Sequence, residues 1–81
     1  MKITVVGAGY VGLSNALLFS KQHDVMVFDI DKTRVKNINQ RVSPISDTCI
    51  QSYLSESNLE ATCDQEQAYQ HAKLVIIATP T

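Results

Sequence analysis

Apolar and polar positions change their period along this chain, and the changes divide it into strands and helices. Lys2-Ile3-Thr4-Val5-Val6 is a β-branched run that ends at Gly7, the pattern of a strand buried on both faces. From Tyr10 to about Gln22 the period becomes helical, with Leu13, Ala16, Leu17 and Ser20 on one face. His23-Asp24 reads as the turn into a second buried strand, Val25-Met26-Val27-Phe28, which stops at Asp29. Asp31 is placed to cap a short amphipathic helix over 32–40, with Val35 and Ile38 inward, and Pro44 ends that segment. Asp47 is placed to cap another helix, with Ile50, Tyr53 and Leu54 as its apolar stripe. Leu59 to Cys63 alternates weakly, as a third strand. Asp64 then caps a short helix carrying Ala68, Tyr69 and Ala72. Leu74-Val75-Ile76-Ile77-Ala78 is the fourth strand and runs into Thr79-Pro80-Thr81.

Alternation of this kind predicts an α/β fold with a parallel sheet and right-handed crossovers. The expected strand order is 3-2-1-4, with the first strand central and the fourth beside it at the topological switch point. Residues 1–81 then read as the first half of a doubly wound domain, with the rest to follow. In that arrangement the fourth strand is an exposed apolar edge, which invites self-association of the isolated chain.

Composition narrows the function classes. The chain has 81 residues, 44% of them apolar, and three Gly and two Pro, which is a packed chain of one domain at most. Seven basic residues against eight acidic ones leave a net charge of −1, which gives no electrostatic footprint for nucleic acid. No apolar run approaches the roughly 20 residues of a membrane span, and glycines interrupt the apolar N-terminus, so neither membrane insertion nor a signal peptide is expected. Cys49 and Cys63 form no CxxC pair and have no histidine at ligand spacing, so no metal site is expected. They read as buried or half-buried thiols of a reducing, cytoplasmic setting.

The glycines carry the chemistry. Gly7-Ala8-Gly9-Tyr10-Val11-Gly12 is G-x-G-x-x-G between a strand and a helix, and Asp29 closes the next strand twenty residues after Gly9. Gly7 permits the tight turn, Gly9 lets a pyrophosphate approach the backbone, and Gly12 lets the helix pack on the strand. The free amides of the helix start and the positive end of its dipole favour that anion. Asp29 is placed to accept hydrogen bonds from the adenosine ribose hydroxyls, and a carboxylate there repels a 2′-phosphate. The loop therefore predicts a Rossmann-type fold that binds NAD rather than NADP, although Lys32 and Arg34 lie close enough to temper the preference. Arg34 is either a solvated helix residue or reaches over the adenosine end. Tyr10 either borders the cofactor or packs.

The run from Met1 to Ser14 resembles the start of bacterial UDP-glucose 6-dehydrogenases. So do Asp29-Ile30, Arg34-Val35, Asn39, Ser43-Pro44-Ile45 and Val75-Ile76-Ile77-Ala78-Thr79-Pro80-Thr81. The resemblance covers this whole chain and only the opening of the family's longer one. It implies oxidation of UDP-glucose to UDP-glucuronate in two NAD-dependent steps, with the catalytic cysteine and the UDP-sugar site downstream of position 81. It therefore implies no catalytic residue here, an inactive fragment when alone, and a homodimeric full-length enzyme. Backbone at Gly9, Tyr10 and Val11 is implied to hold the pyrophosphate, Asp29 with Arg34 the ribose, and Thr81, or else Thr79, the nicotinamide side. Two departures stand out. Gln40-Arg41 follow Asn39 where the family often has glycine, and Asp47 stands where a glutamate is common. UDP-N-acetylmannosamine and GDP-mannose dehydrogenases share this half.

A different class also fits part of the pattern. Nucleotide-sensing modules of potassium-transport proteins begin with a similar glycine loop and an Asp-x-Asp, matched here by Asp29-Ile30-Asp31. Ser43-Pro44-Ile45 and Thr79-Pro80-Thr81 favour the dehydrogenase. Elsewhere, Tyr53 and Tyr69 read as core, His23 as a solvated turn residue, His71 as a helix C-terminal residue and Ser14 as a local packing group.

Overall fold

The computed structural model describes residues 1–43 and 48–78. Its elements are β1 (Lys2–Val6), α1 (Tyr10–Phe19), β2 (Asp24–Phe28), α2 (Lys32–Asn39), α3 (Thr48–Glu56), β3 (Glu60–Thr62), α4 (Gln65–His71) and β4 (Leu74–Ile77). Pro44 and Asp47, expected to end one helix and cap the next, lie outside the described residues, as do Thr79 and Thr81.

All three strand pairings are parallel, and the order is β3-β2-β1-β4, as expected. Side chains alternate across this sheet with period two. Ile3 and Val5 of β1, with Val25 and Val27 of β2, join Leu13, Ala16 and Leu17 of α1, Val35 and Ile38 of α2, and Ile50 and Leu54 of α3 in one core. Met26 and Phe28 face the other way, onto Ala68 of α4, with Val6 beside them. One face thus carries three helices and the other carries α4. The chain changes face because it crosses rightward from β1 out to β3, then returns past β1 to β4; right-handed crossovers in opposite directions cover opposite faces.

Three polar side chains complete what the strands leave open. Thr4 is fully buried, and its hydroxyl donates to the carbonyl of Ala68 at 2.6 Å. That carbonyl belongs to the last turn of α4. Asn39 ends α2 and reaches the outer edge of β3. Its Nδ2 donates to the Ala61 carbonyl and its Oδ1 accepts from the Ala61 amide, both at 2.9 Å. The Arg41 guanidinium donates to the Leu59 carbonyl. One edge of the sheet is therefore sealed by side chains. Arg41 has φ +63°, in the left-handed region that favours glycine.

β4 is the opposite edge. Leu74, Val75 and Ile77 are all exposed there, as the strand order requires.

Several expectations need correcting. Helix α1 ends at Phe19 rather than near Gln22, because the Ser20 hydroxyl turns back onto the Leu17 carbonyl at 2.8 Å and the chain enters a turn. Tyr53 and Tyr69 are not core. Ile50 and Leu54 alone fill the inward stripe of α3, and Tyr53 sits at its side with the Lys21 ammonium 5.2 Å from its ring centre. Ala68 is the inward residue of α4, and Tyr69 leans on the Phe28 ring from outside, 6.4 Å between centroids. Cys49 and Cys63 are exposed free thiols, one in the first turn of α3 and one just after β3. His23 lies in its turn beside the N-terminal amine, and His71 Nε2 is 3.2 Å from the Asp24 carbonyl oxygen.

Candidate functional site

The glycine loop links the C-terminal end of β1 to α1. Gly7 adopts φ +104°, and a Cβ there would stand 2.5 Å from the Ala78 carbonyl oxygen, so both backbone angle and space demand glycine. Its amide donates to the Phe28 carbonyl at 2.8 Å, which ties the turn to β2. A Cβ at Gly12 would overlap the Gly7 carbonyl and stand 3.1 Å from the Ala78 Cβ. Helix α1 thus lies against its own entry turn.

Gly9 differs from both. It caps α1 in an extended conformation (φ −73°, ψ −173°), with no side chain closing the helix end. A Cβ on Gly9 would meet nothing within 4 Å. The missing side chain therefore serves open space and not packing. The first helical amide to find a partner is that of Leu13, which donates to the Gly9 carbonyl at 2.9 Å. The amides of Tyr10, Val11 and Gly12 precede it, as donors at the positive end of a ten-residue helix.

Asp29 lies immediately beyond β2 and is nearly buried. Its Oδ2 accepts from the Ala8 amide at 2.7 Å and its Oδ1 from the Asp31 amide at 2.8 Å. The carboxylate is thereby fixed against the glycine loop, and each oxygen keeps acceptor capacity. Asp31 caps α2 as expected: its Oδ1 accepts from the amides of Thr33 at 2.9 Å and Arg34 at 3.2 Å. The Arg34 side chain folds back over both acids, 3.7 Å from Asp29 Oδ2 and 3.8 Å from Asp31 Oδ2. That side chain remains half-exposed while it leans on the acids.

These groups line one cleft of about 570 Å³, formed by residues 7–12 with Asp29, Ile30, Asp31, Arg34 and Ala78. It lies at the C-terminal ends of β1 and β4, where the order of connection reverses, the usual ligand crevice of an open parallel sheet. Tyr10 and Val11 are exposed at its wall. Gly7, Gly9, Tyr10, Val11, Gly12, Asp29 and Arg34 are therefore brought together; Thr81 lies outside the described residues. Ala8, whose amide anchors Asp29, and Ile30, 86% exposed at the rim, had carried no role in the sequence. The signal for Ala8 is its place in the turn opposite the acid.

The fit to a dinucleotide can be judged from these atoms. An uncapped helix start suits an anion, the open space at Gly9 gives it access, and a fixed carboxylate suits a diol. Among the described residues, no cluster of His, Cys, Asp and Glu could hold a metal, and no helix is long and apolar enough to cross a membrane.

Fold and cleft together define a dinucleotide-binding fold of the doubly wound class. The chain belongs to the UDP-glucose/GDP-mannose dehydrogenase family: residues 1–81 match the family's NAD-binding domain, so the cofactor is NAD. It is 49% identical, over its whole length, to a UDP-glucose 6-dehydrogenase of Streptococcus pneumoniae, of which it covers 21%. It is 46% identical to a UDP-glucose 6-dehydrogenase of Campylobacter jejuni, again over its whole length and 22% of that relative. A GDP-mannose dehydrogenase from Pseudomonas aeruginosa superposes with a TM-score of 0.93 at 30% identity, covering all of this chain and 20% of that one. The chain thus spans about a fifth of the length of these relatives. The whole-length family match leaves the potassium-transport sensor without support.

Proposed function

We propose that this chain is the cofactor-holding opening of a UDP-glucose 6-dehydrogenase. In this reading residues 1–81 are the N-terminal part of the NAD-binding domain, and the protein to which they belong oxidises UDP-glucose to UDP-glucuronate in the cytoplasm as a homodimer. The carrying observation is that an uncapped helix start and a fixed carboxylate face one cleft across an open Gly9. The two most similar relatives named here, both called UDP-glucose 6-dehydrogenases, favour this sugar over GDP-mannose. Two exposed, unpaired thiols suit a reducing compartment.

When bound, NAD supplies the hydride acceptor. The chain's own residues bind and orient it. Amides at Gly9, Tyr10 and Val11 receive the pyrophosphate. Asp29 accepts from the ribose hydroxyls with the lone pairs that Ala8 and Asp31 leave free. Arg34 lies beside that acid, and Ile30 offers apolar surface for the adenine. Gly7 and Gly12 hold the loop's shape, and Thr81 approaches the nicotinamide side. No group for the chemical step is assigned to these residues, so the chain alone is expected to bind without turnover.

The test is residue-resolved. The isotopically labelled chain is titrated with NAD and with NADP, and amide shifts are followed. NAD at millimolar levels should move the amides of residues 8–12 and 29–31, and NADP should move them less. Shifts confined to other surfaces would refute the site. Silence in this chain and also in one extended past Thr81 would refute the cofactor role of these residues.

A further inference from the structure

Among the described residues Arg34 is the one basic side chain lining the cleft, and two acids hold it. A free arginine at this end of a dinucleotide site accommodates a 2′-phosphate. What Arg34 does to cofactor choice therefore depends on what holds it. We propose that Asp31 is a positioning residue for cofactor selection: it latches Arg34 over Asp29 and keeps that cation from a 2′-phosphate. The inference rests on the dinucleotide site proposed above.

The two oxygens of Asp31 divide their work. Oδ1 takes the amides of Thr33 and Arg34 and so starts α2. Oδ2 faces the Arg34 Nε at 3.8 Å. The amide of Asp31 meanwhile donates to Asp29 Oδ1. Asp31 thus touches the ribose acid through its backbone and the arginine through its side chain. The local charge, two carboxylates and one guanidinium, is −1. A 2′-phosphate would meet that negative sum, with the Arg34 cation already paired. The ribose hydroxyls of NAD meet an acceptor and no extra charge. Both Arg34 and Asp31 have half-exposed side chains, so the latch adds little to stability. Its consequence is orientation.

Asp31→Asn separates latch from cap. Asparagine caps helices about as well as aspartate. Its Nδ2, however, offers the guanidinium a donor and no charge. NAD and NADP dissociation constants are measured for the chain, for Asp31→Asn and for Asp31→Ala, by amide-shift titration. The preference for NAD should narrow about fivefold in Asp31→Asn, the size of one surface ion pair, chiefly through tighter NADP. In the unaltered chain the preference should also narrow as salt rises, and less so in the variant, because the repulsion is screened. A cofactor-free readout accompanies these. The Arg34 Nε–H should be ordered in the unaltered chain and mobile in Asp31→Asn.

An unchanged preference in Asp31→Asn, with a change only in Asp31→Ala, would make Asp31 a helix cap and overturn the latch. Equal Arg34 mobility in both proteins would overturn it without any cofactor present. An ordered Arg34 in a chain that binds neither dinucleotide would instead sink the site and the selection role together.

Discussion

Gly9 and Gly12 belong to one motif, yet the structure gives them opposite jobs, and alanine at each separates folding from binding. At Gly12 a methyl would overlap the Gly7 carbonyl oxygen, with the Gly7 carbonyl carbon at 3.0 Å and the Ala78 Cβ at 3.1 Å. Two of those atoms are backbone, so α1 must move away from the turn it springs from. Overpacking of this kind costs about 1–3 kcal/mol, occasionally more. The helical preference of alanine over glycine returns up to about 1 kcal/mol. An overlap with backbone this deep puts the cost at the upper end, so it wins by about 2 kcal/mol, which for a chain this short lowers Tm by roughly 10 °C.

At Gly9 the same methyl meets empty space, and the backbone angles suit alanine. Reduced freedom of the unfolded chain contributes about 0.4–1 kcal/mol, and the poorer N-cap takes a similar amount away. Gly9→Ala should therefore melt within about 3 °C of the parent. It places its methyl where the proposed pyrophosphate approaches, so NAD affinity should fall at least about tenfold, near 1.4 kcal/mol. Thermal denaturation and NAD titration of both variants decide the matter. Full NAD affinity in a folded Gly9→Ala would refute the placement of the pyrophosphate. A Gly12→Ala chain as stable as the parent would refute the close approach of α1 to its turn.

Other perturbations probe what frames the cleft. Thr4→Val keeps the side chain's shape but strips the Ala68 carbonyl of its buried donor; it should destabilise the chain by about 1–2 kcal/mol in urea denaturation, and an unchanged midpoint would remove Thr4 as the clasp of α4. Asn39→Ala frees both backbone groups of Ala61 at the β3 edge. Hydrogen exchange at the Ala61 amide should quicken about tenfold, and protection equal to the parent's would show that the edge is sealed by something else. At the other edge Ile77 is 67% exposed. Sedimentation velocity of this chain should show concentration-dependent association, and Ile77→Lys should suppress it; association unaffected by the lysine would place the contact off β4.

What was legible in the sequence was local. The continuous apolar strand runs, the Gly7 turn and the caps at Asp31 and Asp64 depend on residues within a few positions of one another, and the structure has them where the pattern put them. Strand order followed because crossover handedness leaves few choices. The misread residues depend on distant partners. Ile50, Tyr53 and Leu54 share a helical stripe, but docking against α1 lets only the first and last inward. Tyr69 lost its place because α4 packs through the small Ala68. Asn39 gave no period and no motif of chemistry; its role exists only because α2 ends beside β3, twenty-two positions along the chain.

Asp29 shows why the site was easier to find than to prove. Both of its oxygens face backbone donors, Ala8 on one and Asp31 on the other. Asparagine would turn its amide nitrogen toward one of those N–H groups and leave both donors in conflict, at the cost of an unsatisfied buried group. Alanine would strand two amides at once. The contact between the glycine loop after β1 and the turn after β2 therefore demands a carboxylate whether or not a ribose ever arrives. Loss of NAD binding in an Asp29 variant would follow from a broken loop as readily as from a missing ligand contact. Gly9 carries no such structural duty, since nothing packs against the space it leaves. A folded Gly9→Ala chain that has lost NAD is thus the stronger evidence for a cofactor site, although the acid is the more conspicuous residue.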